Sequence, residues 1–367
     1  MGRTERKAVI RKLEVDTGRR ILVVSDIHGN LPYLQGVLRK TDFSEKDVLI
    51  VDGDFLERGQ ASLDTLHFLM DLSEAGNVMV ICGNRDNWHG IFALGPEEDD
   101  RLLKEYIQRR NNGLLREMCL QSGIVPEELE HFTQTKELLR RRYTEEWRFL
   151  AGLPHAIETE NFIFAHAGVN PNVPLEENSV RELTHTDAFL WKGWSFPKWV
   201  IVGHWPVMLY RESIVSARPV IEQRRKIACI DGGCVLKDDG QLNCLIIPEP
   251  AGDDFEFAAY DSFPVRRVRD RQEGGGRSYY IRWGDSQVQV LERYGEFSRC
   301  RHIRTGYEMD ILTKYLFSEE EVTGCNDCTD YILPLEQGDE VSVVETTGRG
   351  YFVKHNGVSG WYYGRLE

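Results

Sequence analysis

The feature that most constrains this chain is a set of six apolar runs, each four residues long and each stopping abruptly on polar or glycine-rich sequence. They are ILVV at 21–24 before SDIHGN, VLIV at 48–51 before DGDFLERG, VMVI at 78–81 before CGNRD, FIFA at 162–165 before HAGVN, WVIV at 199–202 before GHWP, and IACI at 227–230 before DGGC. Runs this short, rich in Val and Ile and bounded by Gly and Asp, predict buried strands. Between them the spacing predicts helices. Residues 31–40 open with Pro32 near a helix start, and residues 62–72 put Leu63, Leu66, Leu69 and Met70 at helical intervals. Alternating strand and helix predicts an α/β layered core with its functional loops at the strand ends.

Composition narrows the classes. In 367 residues, 45 Lys+Arg stand against 59 Asp+Glu, a formal charge of −14, which disfavours a general nucleic-acid binder because phosphate binding needs a positive surface. No apolar run approaches the ~18 residues that a membrane span requires. The basic N-terminal stretch lacks the apolar core of a secretory signal. Eight cysteines are too sparse for a disulfide-stapled scaffold of this length, so a reducing, cytoplasmic setting is expected. Cys325 and Cys328 form a lone CxxC, read as structural in the absence of a second pair.

The strand-end residues carry the chemistry. Asp26 and His28, Asp54, Asn84, His166 and His204 are oxygen or nitrogen donors that follow the first five runs. The separations 54 − 26 = 28 and 84 − 54 = 30 are about one βα unit each, which brings successive strand ends together on one sheet edge. Mixed carboxylate, amide and imidazole donors suit Mn, Fe or Zn better than Ca or a thiolate site. Two divalent ions sharing a carboxylate, for which Asp54 is the candidate, would activate water and clamp a phosphoryl group.

In their order DxHG, GDxxxRG, GNxD, HAG and GH, these motifs resemble the calcineurin-like metallophosphoesterases over about residues 20–248. Gly203-His204-Trp205-Pro206 and the DGGC at Asp231 are similar to the phosphoprotein phosphatase (Ser/Thr) branch. The resemblance implies a calcineurin-like β-sandwich flanked by helices. It implies one ion on Asp26, His28 and Asp54, a second on Asp54, Asn84, His166 and His204, and hydrolysis of phosphomonoesters by metal-bound hydroxide. A protein phosphatase acting on a phosphorylated protein is the first expectation. A dinucleoside-polyphosphate hydrolase acting on a small phosphorylated substrate, and a non-catalytic pseudophosphatase that binds phosphorylated partners, stand as alternatives.

Two positions depart from the family pattern. Where the third motif has a His that protonates the leaving group, this chain has Arg85, beside Asp86; where the second has the Asp that orients that His, it has Glu57. Arg stays charged and cannot act as a general acid, but it can stabilise a developing oxyanion. An ion pair of Glu57 with Arg85 is expected, with Glu57, Arg58, Arg85 and Asp86 as the catalytic group and Arg58 as the family's phosphate-binding Arg. Lys192 is one residue early for the second phosphate Arg, while His185 and Asp187 match no motif and read as loop residues.

Three further regions stand out. Residues 96–150 read as a charged helical cap insertion within a metallophosphoesterase domain at 1–250. Residues 251–278 read as a linker. Residues 279–367 alternate with period two and resemble one or two small SH3-like barrels, an all-β region with a peptide as its expected partner. Within it Gly284-Asp285, Val288, Val290, Glu292 and Gly295 echo Gly338-Asp339, Val341, Val343, Glu345 and Gly348.

Overall fold

A computed structural model describes residues 7–87, 100–130, 132–319 and 322–367. The chain divides into two compact units. The first comprises Met1–Trp205, Pro219–Val235 and Gln241–Asp261; the second comprises Pro206–Arg218, Leu236–Gly240 and Ser262–Glu367. Among the described residues no helix is long and apolar enough to cross a membrane.

The strands up to the end of the first unit run in chain order β1 (Ile10–Lys12), β2 (Ile21–Val24), β3 (Val48–Asp52), β4 (Val78–Ile81), β5 (Ala156–Glu158), β6 (Phe162–Phe164), β7 (Trp199–Val202), β8 (Val215–Ser216), β9 (Val220–Glu222), β10 (Ile227–Cys229), β11 (Leu242–Ile247) and β12 (Glu256–Tyr260). All six apolar runs are strands. One sheet has the order β12-β11-β2-β3-β4 and the other β1-β5-β6-β7-β10-β9. β8 belongs to the second unit.

The short runs can be apolar throughout because both of their faces are covered. Leu22, Val24, Leu49 and Val51 join a core with the helices, whereas Ile21, Val23, Val48 and Ile50 meet Phe162, Phe164, Trp199 and Ile201 of the opposite sheet. Burying two sheets face to face in this way makes an α/β sandwich with helices outside.

Helix α1 (Leu31–Lys40) carries Pro32 in its first turn and Arg39 and Lys40 in its last, where fixed φ and positive charge each suit the helix end. Its Gly36 lies against Tyr260 of β12, and a Cβ there would meet the ring at 2.5 Å. Helix α2 (Ser62–Ser73) buries Leu63, Leu66 and Leu69. Its first amides, Ser62 N and Leu63 N, donate at 3.0 and 2.7 Å to the carboxylate of Glu117, from the helix Leu114–Gln121. The cap region therefore supplies the acceptors that a helix N-terminus lacks. The rest of that region is helical as expected, at Asp100–Arg109, Phe132–Arg142 and Thr144–Gly152; residues 96–99 and 131 lie outside the described residues.

Residues 251–278, read as a linker, hold two strands. β12 pairs antiparallel with β11, and β13 (Val265–Arg267) pairs with a strand of the second unit. β12 escapes a pattern reading because it is an edge strand whose first two residues are exposed.

The second unit is all-β. Its further strands are β14 (Tyr280–Ile281), β15 (Val288–Tyr294), β16 (Phe297–His302), β17 (Glu308–Leu312), β18 (Leu316–Glu319), β19 (Val322–Cys325), β20 (Cys328–Thr329), β21 (Glu340–Thr347), β22 (Gly350–His355) and β23 (Val358–Tyr362). β15-β16-β17 and β21-β22-β23 are both antiparallel meanders, and the register slips at Val290/Glu292 in one and Val343/Glu345 in the other. Core residues recur at one offset: Val288 and Val341, Cys300 and Val353, Met309 and Tyr362 are each 53 apart (341 − 288, 353 − 300, 362 − 309), and they fall in two separate apolar clusters. The echo in the sequence is thus a repeated supersecondary unit, with its bulge at the same place in each copy.

Leu66→Ala, which opens a cavity in the helix-facing core, is expected to lower stability by about 2–5 kcal/mol, read by urea denaturation. Gly36→Ala should destabilise as well, because Tyr260 must move.

Candidate active site

Parallel strands share one C-terminal edge, so the loops after β2, β3, β4, β6 and β7 meet there. The first two loops are stitched to each other beyond the strand ends. Asp26 N donates to Gly53 O at 3.0 Å, His28 N to Asp54 O at 2.9 Å and Gly29 N to Phe55 O at 2.8 Å. Asp26, His28, Asp54 and His204 all have left-handed backbone, with φ of 55°, 53°, 50° and 64°, as do Glu57 and Arg58 at 69° and 70°. Such conformations cost about 1–3 kcal/mol each in non-glycine residues and persist where the surroundings impose them.

Asp86 is one of those impositions. It is fully buried, and its carboxylate accepts from Asp54 N at 2.7 Å, Gly83 N at 2.9 Å and Leu56 N at 3.1 Å. Burial, then repulsion from Asp54, pushes its carboxyl up to about 8, against the three amides that favour the ionised form. Two glycines make room for the rest. A Cβ on Gly83 would stand 2.2 Å from Asp54 N, and one on Gly203 would stand 2.1 Å from Ser25 Oγ.

All six expected donors converge. Asp26, His28 and Asp54 form one group with donor atoms within 4.8 Å of one another, and Asp54, His166 and His204 form a second, so Asp54 is common to both. Asn84 completes the second: its Oδ1 is 3.2 Å from His166 Nε2 and 3.0 Å from His204 Nδ1, while His166 Nε2 is 3.3 Å from Asp54 Oδ1. Donors about 2.0–2.2 Å from one ion, at tetrahedral or octahedral angles, stand at about these separations from each other.

Each imidazole is held by its other nitrogen. His166 Nδ1 lies 2.9 Å from Asp52 O, His28 Nδ1 3.3 Å from Leu56 O, and His204 Nε2 2.9 Å from Asp187 Oδ1. These partners select the tautomers that leave His166 Nε2, His28 Nε2 and His204 Nδ1 facing the cluster. With Nδ1–H donated to Asp52, the Nε2 lone pair of His166 faces two oxygen acceptors, and a cation must lie among them. Without a metal that cation is a proton: burial opposes it, but Asp54 and Asp26 raise His166 well above its usual range. Burial likewise opposes ionisation of Asp54, yet His166 holds it well below the carboxylate range. His28 and His204 are both lowered to about 4, chiefly by burial. Asp26 Oδ1 is buried with no hydrogen-bond partner, a donor left for an ion. The donor set fits divalent metal.

The departures from the family motifs resolve differently from expectation. Glu57 does not pair with Arg85. Its carboxylate accepts from Tyr106 Oη and, at 3.0 Å, from Leu114 N, both in the cap region. The extra methylene of Glu over Asp carries the carboxylate into the cap. Arg85 donates its backbone N–H to Asp54 Oδ1 at 2.7 Å, and no acidic partner for its guanidinium is found among the described residues. Arg58 is half-buried with an unpartnered Nε, and burial first, then repulsion from Arg85 and Arg110, lowers its guanidinium below the usual value. Arg110 itself lies over the Tyr106 ring at 4.5 Å.

Asp187, which lies in a turn and matches no motif, is the side chain that orients His204. Only the fold reveals it, because it lies 17 residues from its partner with no motif between. His185 Nδ1 lies 2.7 Å from Thr184 Oγ1, and Lys192 is exposed in a short 3-10 turn.

A ring of hard and borderline donors at the carboxyl edge of a sandwich, built to take two divalent ions, defines a metal-dependent phosphoesterase. The model of the calcineurin-like phosphoesterase family matches residues 19–223, more than half of the chain, and the chain belongs to that family, whose hydrolases work with a binuclear divalent metal centre. Among curated proteins it is similar to a symmetrical bis(5'-nucleosyl)-tetraphosphatase of Vibrio parahaemolyticus, at 27% identity over 158 residues, which is 42% of this chain and 46% of that protein. A Vibrio cholerae protein of the same name is 40% identical over 80 residues, 22% of this chain and 29% of that one. The chain therefore spans less than half the length of these relatives. Among solved structures it is similar to a protein serine/threonine phosphatase from Saccharomyces cerevisiae, with TM-score 0.43 and 12% identity over 70% of this chain and 85% of that one.

Asp187→Asn is expected to weaken divalent-metal retention about tenfold, the low end for such partners because Asp187 is 68% exposed; metal titration followed by calorimetry reads it.

Proposed function

We propose that this phosphoesterase acts on phosphoanhydrides and on esters of good leaving groups, with a dinucleoside polyphosphate as the natural class of substrate. The observation that carries the reading is the arrangement around Arg85. Glu57 is committed to Tyr106 and Leu114, so Arg85 has no acidic partner among the described residues, and its charge adds to those of Arg58 and Arg110. Three guanidiniums beside a metal cluster suit an extended polyanion. They offer multiple donors to phosphate oxygens and stabilise charge on a departing one. They cannot supply a proton. A departing nucleotide phosphate needs none, whereas a departing serine alkoxide does. The names of the two Vibrio relatives support the same substrate class.

In this reading Asp26, His28 and Asp54 hold one ion, and Asp54, Asn84, His166 and His204 the other, Mn, Fe or Zn by donor type. The two ions would activate water and neutralise phosphoryl charge. Arg58 and Arg85 bind and orient the phosphate. Glu57 and Asp86, buried and committed to other partners, act as positioning residues: Asp86 fixes the Asp54 loop and Glu57 fixes the cap. A second reading, a protein phosphatase of the phosphoprotein phosphatase branch, is favoured by the all-β unit, whose exposed Trp283 and Phe317 are of the kind that contacts protein. The paired meanders support reading that region as one or two SH3-like barrels from about residue 279.

With Mn²⁺ added, p-nitrophenyl phosphate and diadenosine tetraphosphate are expected to be turned over, and a phosphoserine peptide about 10²–10⁴-fold more slowly. Chelation or Asp54→Asn should abolish all three activities. Arg85→His should raise phosphoserine turnover selectively. Efficient phosphoserine hydrolysis by the unaltered protein would sink the anhydride reading and favour the protein phosphatase.

A further inference from the structure

The second unit has a cavity of about 330 Å³, within the range of small-ligand sites. Its lining joins two kinds of side chain. Trp283, Tyr315 and Phe317 give aromatic walls, and Asp238, Asp239 and Asp327 give carboxylates. Trp283 is 64% exposed, so its ring is accessible to a ligand.

The carboxylates are not all neutralised. Asp327 pairs with Lys237 and accepts from Tyr280 Oη at 2.8 Å and Trp283 N at 2.7 Å. Asp239 is only 9% exposed, and its Oδ2 is buried without a hydrogen-bond partner. Its backbone is held by the buried Lys354 ammonium, which donates to Asp239 O at 3.0 Å and Gly240 O at 3.2 Å. Among the lining side chains, three carboxylates stand against the one ammonium of Lys237.

We propose that this cavity binds an organic cation, a protonated amine or guanidinium the size of a lysine or arginine side chain, with Asp239 as its counter-charge and Trp283 as its π face. An unpartnered buried acceptor costs free energy that a charged donor recovers, and aromatic rings, Trp best of all, attract a cation over their faces. A metal ion is the poorer occupant. Among the described residues, three Asp, Glu, His or Cys donors converge within 4.8 Å only at the hydrolytic site, so these aspartates do not close on one ion. The chain's own nearby cations are engaged, Lys237 with Asp327 in the lining, Lys314 with Glu345, and Lys354 with the carbonyls of Asp239 and Gly240.

The test is calorimetric titration of the full chain with capped arginine (Nα-acetyl-arginine N-methylamide), with spermidine, and with the capped glutamate analogue. One-to-one saturable binding of either cation, with none of capped glutamate, is expected. Tighter capped arginine would assign the site to a protein's basic side chain, and tighter spermidine to a free polyamine. Asp239→Asn should weaken binding about tenfold or more. Trp283→Ala, an exposed change that leaves the fold intact, should weaken it about three- to tenfold. Both variants should release phosphate at the unaltered rate. Failure of both cations to saturate, equal binding of capped glutamate, or unchanged affinity in Trp283→Ala would overturn the proposal, even if Asp239→Asn failed to fold.

Discussion

The site depends on backbone held where side-chain sterics oppose it. Asp26, His28, Asp54 and His204 point inward because each has a left-handed φ, and none would keep it in a free loop. The restraint is local and physical. The β2–β3 hydrogen-bond ladder carries on past the strand ends, loop to loop, and the buried Asp86 carboxylate ties Asp54, Leu56 and Gly83 into one knot. Strain at four donors is thus sustained by a sandwich whose strands are buried on both faces. The rigidity matters because a divalent ion binds best where its donors are already gathered and their mutual repulsion has been met by folding rather than by binding.

The frame of this architecture was legible because its signals are short-range. Four apolar residues ending in Asp or His mark a strand and its functional loop together, and all six runs became strands. The helices at 31–40 and 62–73 followed from periodicity. The donors were legible for the same reason, each sitting one to four residues past a run. What escaped was long-range. Nothing near Asp187 announces His204, nothing near Glu117 announces the first turn of α2, and β12 looked like linker because an edge strand needs only one neighbour. Glu57 and Arg85 were correctly marked as departures, yet their pairing was not, since one methylene redirects a carboxylate into a cap whose position no local pattern encodes.

That redirection changes the electrostatics. Were Glu57 and Arg85 paired, their charges would cancel beside the metals. Separated, the acid is absorbed by a hydroxyl and an amide inside the cap, while the guanidinium keeps its full charge with Arg58 and Arg110 as neighbours. Burial, together with the repulsion among them, lowers the Arg58 guanidinium below its usual value, while Asp54 opposes it. Cap and catalytic edge are therefore coupled through Tyr106, whose hydroxyl meets Glu57 and whose ring carries Arg110.

The meanders at β15–β17 and β21–β23 bear on how the chain is made. In the first unit β2 must wait for β11, and the partners Val24 and Cys244 are separated by most of that unit's length. Until β11 leaves the ribosome, the edge of β2 has no neighbour on that side, a state open to mispairing. Each meander closes instead with partners three to fifteen residues apart, such as Val288 with His302 and Cys300 with Met309. Contacts so local form quickly. The meanders, which follow the sandwich along the chain, are thus suited to fold at once, and the slow assembly belongs to the sandwich.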